Sequence, residues 1–278
     1  MNPILSIIIP CYNSEATLET TLQSVINQNF QNWEAIIIND GSSDNTENIA
    51  LKWVAKDHRF KYFAKQNEGL GKTRNYGIAR SSGLFVLPLD SDNQLIKDFS
   101  EHAIEVFEKN KEIGVIYGDA EYFGERIGLW TVKEYEFKKL LAGNYIDACA
   151  IYRKENWVEV GGYDENMPHQ GHEDWELWIA FGVLNVKFYH LNKITFKYFV
   201  SKHSMIRSFS DSMEQLNKDY IFEKYSKHYQ KYYGDIYSLC KKNESNYNEN
   251  LKSEKFVIDL FCKTFFGFTI FKKRDNLY

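Results

Sequence analysis

Ser6-Ile7-Ile8-Ile9-Pro10-Cys11-Tyr12-Asn13 is the stretch that decides how the rest of the chain is read. An uninterrupted β-branched run suits a strand buried on both faces, as in a parallel sheet, and here it breaks directly into polar residues. The next run, Glu34-Ala35-Ile36-Ile37-Ile38, repeats the pattern and ends in Asn39-Asp40-Gly41-Ser42-Ser43-Asp44. Shorter apolar runs follow at Tyr62-Phe63-Ala64 and Leu84-Phe85-Val86-Leu87, the last leading into Asp90-Ser91-Asp92-Asn93. Between the runs, Ala16–Gln28, Asn45–Lys56 and Gly71–Arg80 have helical length and pattern, and another helix is expected at Lys97–Asn110. Strand and helix in alternation predict an α/β fold, a mainly parallel Rossmann-like sheet flanked by helices. Pro88 removes a ladder donor from the fourth run, which implies an edge strand or a bulge.

The rhythm changes after about residue 114. Val115–Tyr122 and Ile146–Tyr152 read as strands, with short helical pieces at Phe137–Ala142 and Trp157–Val160. Glu173–Phe181 is a strongly apolar helix and Val186–His190 a late strand. Beyond residue 206 the text is helical and rich in Lys, Tyr and Phe. These changes divide the chain into a domain at 1–205, itself breaking into 1–113 and 114–205, and a helical C-terminal appendage at 206–278.

Composition narrows the class. The chain has 278 residues, 44% of them hydrophobic, enough for one large domain and an appendage. A net charge of −4 gives no reason to expect a polyanion partner, so no nucleic acid is expected. The Tyr and Lys residues of 218–233 read as a solvated helix face. Cys11, Cys149, Cys240 and Cys262 are scattered, without zinc-ligand spacing, which suits reduced thiols in a cytoplasmic protein. Neither a signal peptide nor an apolar run of about 18 residues is present.

Three runs end in polar or acidic residues, and in open α/β sheets ligands bind outside the carboxyl ends of the strands. Tyr12, Asp40, Asp90 and Asp92 are therefore expected in one crevice. An aromatic face with carboxylates suits a nucleoside and a metal. Mg2+ or Mn2+ takes few protein ligands when a diphosphate supplies oxygens of its own. Asp-Ser-Asp alone is also ordinary turn chemistry. Asp44 reads as a cap for the following helix. Gly69-Leu70-Gly71-Lys72-Thr73-Arg74 fails as a phosphate loop, because Gln66 stands where the first glycine is required. It reads instead as a helix start whose Arg74 pairs with a diphosphate or a site carboxylate. Asp174 projects from the apolar side of its helix, beside Leu177, Trp178 and Phe181. A carboxylate there belongs to a cleft rim or to a structural pair, and at a rim it suits a general base for a hydroxyl.

Taken in order, these motifs resemble the family 2 glycosyltransferases of the GT-A fold. To the three strand ends the resemblance adds Asn67-Glu68-Gly69-Leu70-Gly71 with Arg74-Asn75-Tyr76-Gly77, then Gly161-Gly162-Tyr163-Asp164-Glu165 and Glu173-Asp174-Trp175. It covers about the first 205 residues. It implies an inverting transfer of a sugar from a nucleotide-diphosphate donor, most often UDP, to a hydroxyl on a glycan or lipid-linked acceptor. Pro10, Tyr12, Asp40, Arg74 and Asp90 would bind the nucleotide, and Asp92 would hold Mn2+ or Mg2+. Asp174 would be the catalytic base, with Glu173 and Trp175 near the acceptor. The chain departs from the family in the late motif, where Phe199 and Ser201 replace the usual Arg and His of Tyr198–Met205. His203 is the nearest substitute as a metal-site residue. A nucleotide-sugar-binding scaffold or regulator without turnover is the rival that this departure favours. Residues 255–274 alternate Phe with Lys and read either as a packed helix or as an in-plane helix at the inner face of a membrane.

Overall fold

The computed structural model describes residues 2–201, 210–234 and 249–266. The opening run is strand β1 (Leu5–Cys11), buried along its whole length, and so is β2 (Trp33–Asp40). With β3 (Phe60–Lys65) and β4 (Phe85–Pro88) they pair in parallel. Helices α1 (Leu18–Ile26), α2 (Thr46–Lys56) and α3 (Leu70–Ala79) connect them. After the short β5 (Gln94–Leu95) come α4 (Phe99–Lys109), β6 (Ile113–Gly124), β7 (Gly128–Trp130) and α5 (Phe137–Ala142). Then follow β8 (Ile151–Arg153), α6 (Lys154–Val160), α7 (Glu173–Val183) and β9 (Lys187–Val200). The strands form one mixed sheet in the order β3-β2-β1-β4-β8-β6-β9-β5, with β7 paired to β6.

Three expectations change. Pro88 is at neither an edge nor a bulge: β4 lies between β1 and β8. Phe85 N and Leu89 N donate to Ile4 O and Ile8 O of the β1 segment, so the nitrogen of Pro88 faces the opposite side. There β8 pairs only with Phe85 and Val86, and no ladder bond is lost. The strand expected at Ile146–Tyr152 is confined to Ile151–Arg153. Asn144 Oδ1 and Asp147 Oδ1 accept from Ile146 N and Cys149 N, local bonds that turn the backbone before it can extend. The late strand is longer than expected. It passes through residues 191–193, a bulge opposite Gly118 in which Asn192 adopts φ 52°, and then re-pairs with β6.

The first compact unit runs from Met1 to Lys224, and a second from Tyr225 to Tyr278. The division thus falls later than residue 205. Helix α8 (Asp211–Lys224) belongs to the first unit because its polar side chains are used there. Asn217, fully buried, exchanges hydrogen bonds with the His169 backbone, and Lys224 reaches Asp164 and Glu176. The described part of the second unit is helical at 226–234 and in α9 (Glu254–Phe266). Among the described residues, no helix is long and apolar enough to cross a membrane. Cys11, Cys149 and Cys262 are free thiols, and Cys240 lies outside the described residues.

Candidate active site

The ends of β1, β2 and β4 open on a pocket of about 670 Å³. Pro10, Tyr12, Asp40, Arg74, Asp90, Asp92, Glu173 and Asp174 all line it. Tyr12 is 56% exposed and offers a free aromatic face. The turn that carries it is tied to the turn after β2: Asn13 N donates to Ser42 Oγ, and Asn13 Oδ1 accepts from Ser43 N. Gly41 adopts φ +76° there, and a Cβ would come within 2.9 Å of Asn67 N, so glycine lets the turn after β2 pack against the segment after β3. Asp44 closes the start of α2 through Thr46 N and also accepts from Glu15 N.

Asp40 is 5% exposed and already in use. Its Oδ1 takes Lys65 Nζ at 2.6 Å and Glu68 N at 3.1 Å, and its Oδ2 takes Gly69 N at 3.1 Å. Leu70 N donates to Gln170 Oε1. The amides before and at the first turn of α3 are thus already committed to protein acceptors, which agrees with the failed phosphate-loop reading. Gly71 lets α7 approach, since a Cβ would sit 3.2 Å from Glu173 Cγ.

Arg74 is 2% exposed and donates from Nη2 to Asp90 Oδ1 at 2.7 Å. Of the two partners anticipated for it, a site carboxylate is the one it holds. Burial works against its charge, but Asp90 and the nearby Glu173 and Asp174 hold the guanidinium protonated. The Asp90–Asn93 turn is fixed from both sides. Ser91 O accepts from Thr21 Oγ1, and Asn93 Oδ1 accepts from Phe199 N at 2.9 Å. The side-chain amide of Asn93 thereby joins the acidic turn to the end of β9. Burial, with Asp90 beside it, pushes Asp92 up to about 7. A desolvated oxygen donor of this kind, next to a second carboxylate, fits a hard divalent cation. Among the described residues no cluster of three or more His, Cys, Asp or Glu is placed to hold a metal ion. His203 lies outside the described residues.

Asp174 is half-buried in the first turn of α7 and faces the pocket. Burial pushes its carboxyl up to about 6, against the opposing pull of Arg74. Glu173 is 3% exposed; its Oε2 accepts from Gly171 N, while Oε1 is buried without a hydrogen bond. Trp175 does not line the pocket. It is 3% exposed, and its indole N–H goes to Leu140 O, so it shapes the wall from behind.

The sequence reading gave no site role to Asn67, Asp147, Gln170 or Tyr198, which also line the pocket. Asp147 is the most consequential. Burial, with Asp90 nearby, raises its carboxyl to about 8, so at neutral pH it is a protonated acid among carboxylates. Its signal was hidden in a segment that looks like a strand.

A parallel half, β3-β2-β1-β4, joined through the antiparallel β8 to a mixed half in which β6 and β9 run parallel, with carboxylates gathered in one pocket at the strand ends, is the arrangement of the GT-A class of glycosyltransferases. Residues 6–161 match the model described as Glycosyl transferase family 2, and the chain belongs to that family. A glycosyltransferase of Haemophilus influenzae is 30% identical over 181 residues, covering 64% of this chain and 71% of that protein. A poly-beta-1,6-N-acetyl-D-glucosamine synthase of Staphylococcus epidermidis is 32% identical over 176 residues, 59% of this chain. The chain spans less than two thirds of several relatives, 42% of that synthase and 59% of a Rickettsia typhi glycosyltransferase. Among solved structures, S. aureus TarS in complex with UDP-GlcNAc aligns with a TM-score of 0.66 at 22% identity, covering 77% of this chain and 64% of that one. A Pyrobaculum calidifontis mannosyltransferase in complex with GDP-Man and Mn2+ aligns at 0.58 and 14% identity, covering 73% and 59%. At these identities the likeness is one of fold.

Proposed function

We propose that this chain transfers a sugar from a nucleoside-diphosphate donor, UDP in the first instance, to a hydroxyl of a glycan or lipid-linked acceptor, with inversion. The observation that carries the proposal is the meeting of Asp90, Asp92, Arg74 and Asp174 in one pocket that also presents Tyr12 and Asp40. The base would stack on Tyr12, with the remaining acceptor capacity of Asp40 Oδ2 directed to its edge. Asp90, held by Arg74, would meet the ribose or the sugar. Asp92 would hold Mn2+ or Mg2+, which neutralises charge on a diphosphate leaving group. The acceptor oxygen attacks the anomeric carbon, its proton passes to Asp174, and the bond from that carbon to the diphosphate oxygen breaks. One displacement gives inversion, and a carboxylate with a pKa near 6 is ionised and still basic enough at neutral pH. The 32% identical polysaccharide synthase supports an acceptor in polysaccharide or lipid-linked glycan assembly.

A panel of nucleotide sugars, tested with MnCl2 for thermal stabilisation and release of the nucleoside diphosphate, tests this reading. UDP-sugars should stabilise the protein and be turned over. Stabilisation without release from any donor, with every glycan acceptor tried, would favour a binding scaffold instead. We also propose a peripheral membrane contact through 255–274; in its described part, Val257, Ile258 and Phe261 of α9 are 42–54% exposed. Liposome co-sedimentation with and without residues 255–278 checks it, and equal partitioning would dismiss it.

A further inference from the structure

The segment between α5 and β8 is fastened to α7 at two points. Trp175 Nε1 donates to Leu140 O at 2.6 Å, and Trp178 Nε1 donates to Ile146 O at 3.1 Å. Both indoles are buried. Asn144 lies between the two acceptors. Its Oδ1 accepts from Ile146 N at 3.2 Å, which settles the orientation of the amide. Its Nδ2 therefore faces Asp174 and donates to Oδ2 at 2.9 Å. Trp175 N donates to the other oxygen, Oδ1, at 2.8 Å. Each oxygen of Asp174 thus has a fixed donor, one from its own helix and one from a segment pinned on either side.

We propose that Asn144 is the positioning residue of Asp174: it aims the carboxylate and favours its ionised form. The proposal rests on the reading of Asp174 as the base. The chemistry is one-sided. Nδ2 has no lone pair, so a proton on Oδ2 would meet a donor, whereas an ionised Oδ2 accepts from it. Other groups facing Asp174 act by charge. Arg74 of α3 favours the anion and Glu173 of α7 opposes it, while Asp147, Tyr163 and Tyr198 also interact with it electrostatically. None of these carboxyl or hydroxyl groups supplies the fixed donor that Asn144 does. The carbonyl contact to Ile146 N explains why an amide is used: Asn satisfies the turn with one end and the base with the other.

Two variants separate this role from a purely structural one. Asn144→Ala removes both bonds. Asn144→Asp keeps an acceptor for Ile146 N but turns the donor into a negative charge. In the full chain labelled with 13C-carboxyl aspartate, the Asp174 resonance is identified by its loss in Asp174→Asn. Its NMR titration midpoint should rise by about one pH unit in Asn144→Ala, and further in Asn144→Asp. Release of UDP from UDP-N-acetylglucosamine with MnCl2 should lose rate severalfold at low pH and recover as pH rises, in the same order. A midpoint unmoved in both folded variants overturns the proposal. Midpoints that shift in a chain that turns over no nucleotide sugar would support the Asn144 coupling and overturn the transferase reading.

Discussion

The two halves of the pocket are built by different means. On the side proposed to take the nucleotide, the site residues other than Arg74 of α3 stand at the ends of buried parallel strands: Tyr12 after β1, Asp40 at the end of β2, Asp90 and Asp92 after β4. Sheet register fixes where those residues emerge, and short polar turns need only stitch them together. In the acceptor half, Asp147 and Asn144 come from an irregular segment, and Asp174 from a helix start. Their positions depend on single bonds, chiefly the indole N–H groups of Trp175 and Trp178. Substitutions in the first half should therefore act on donor binding and leave the fold intact. Substitutions in the second should act on turnover and on stability together.

The largest effect expected of a single change is on turnover. Asp174→Asn should lower sugar transfer by about 100-fold to 10,000-fold, the usual worth of a general base, while UDP affinity holds. Steady-state rates beside calorimetry check both parts; transfer at the original rate would remove Asp174 from the mechanism. Asp92→Ala should do the reverse, weakening Mn2+-dependent UDP binding by about tenfold or more. Unchanged calorimetric affinity would take the metal role away from Asp92. In the wild-type chain the rate should fall as pH drops through about 6, because burial has raised the base to that value. A rate that stays level well below that pH would point to another base.

This contrast also explains what could be read before any coordinates. Runs such as Ile7–Ile9 and Ile36–Ile38 announce strands, and the residues that follow them announce the crevice, because strand direction alone determines which end opens. Asp174 was legible too, as a carboxylate out of place on an apolar helix face. Asp147 was not. Ile146-Asp147-Ala148-Cys149-Ala150-Ile151-Tyr152 has the composition of a strand, and what prevents one is a pair of local bonds from Asn144 and Asp147 to backbone amides two residues on. Trp175 misled for a related reason. Its neighbours face the pocket, but a helix turns by 100° per residue, so its own side chain points to Leu140. The first compact unit runs on to Lys224, past the expected break at 205, because Lys224 and Tyr220 find their partner, Asp164, far away in sequence.

Two smaller effects sharpen the difference between the halves. Trp175→Phe shrinks the ring and removes the indole donor, leaving Leu140 O with Gly143 N alone, which should cost about 1–3 kcal/mol in urea unfolding. If the indole bond secures the segment that carries Asn144, turnover should fall as well. Stability loss with an unchanged rate would uncouple that bond from the site.

Asp147→Asn should have the smallest effect on turnover at neutral pH, and an effect of the opposite sign on stability. The folded chain holds the Asp147 proton to about 8, whereas an unfolded chain releases it near 4. Between those values the folded state binds more protons than the unfolded one, so stability falls as pH rises across the window and the full cost is present above it. An amide has the shape of the protonated acid and cannot ionise. Asp147→Asn should therefore match the wild type near pH 4 and melt higher at about pH 8.5. A variant that gains nothing at alkaline pH would mean that Asp147 is already ionised in the neutral protein. In that case the acceptor half would carry another full negative charge, and the balance of charge around Asp174 would have to be redrawn.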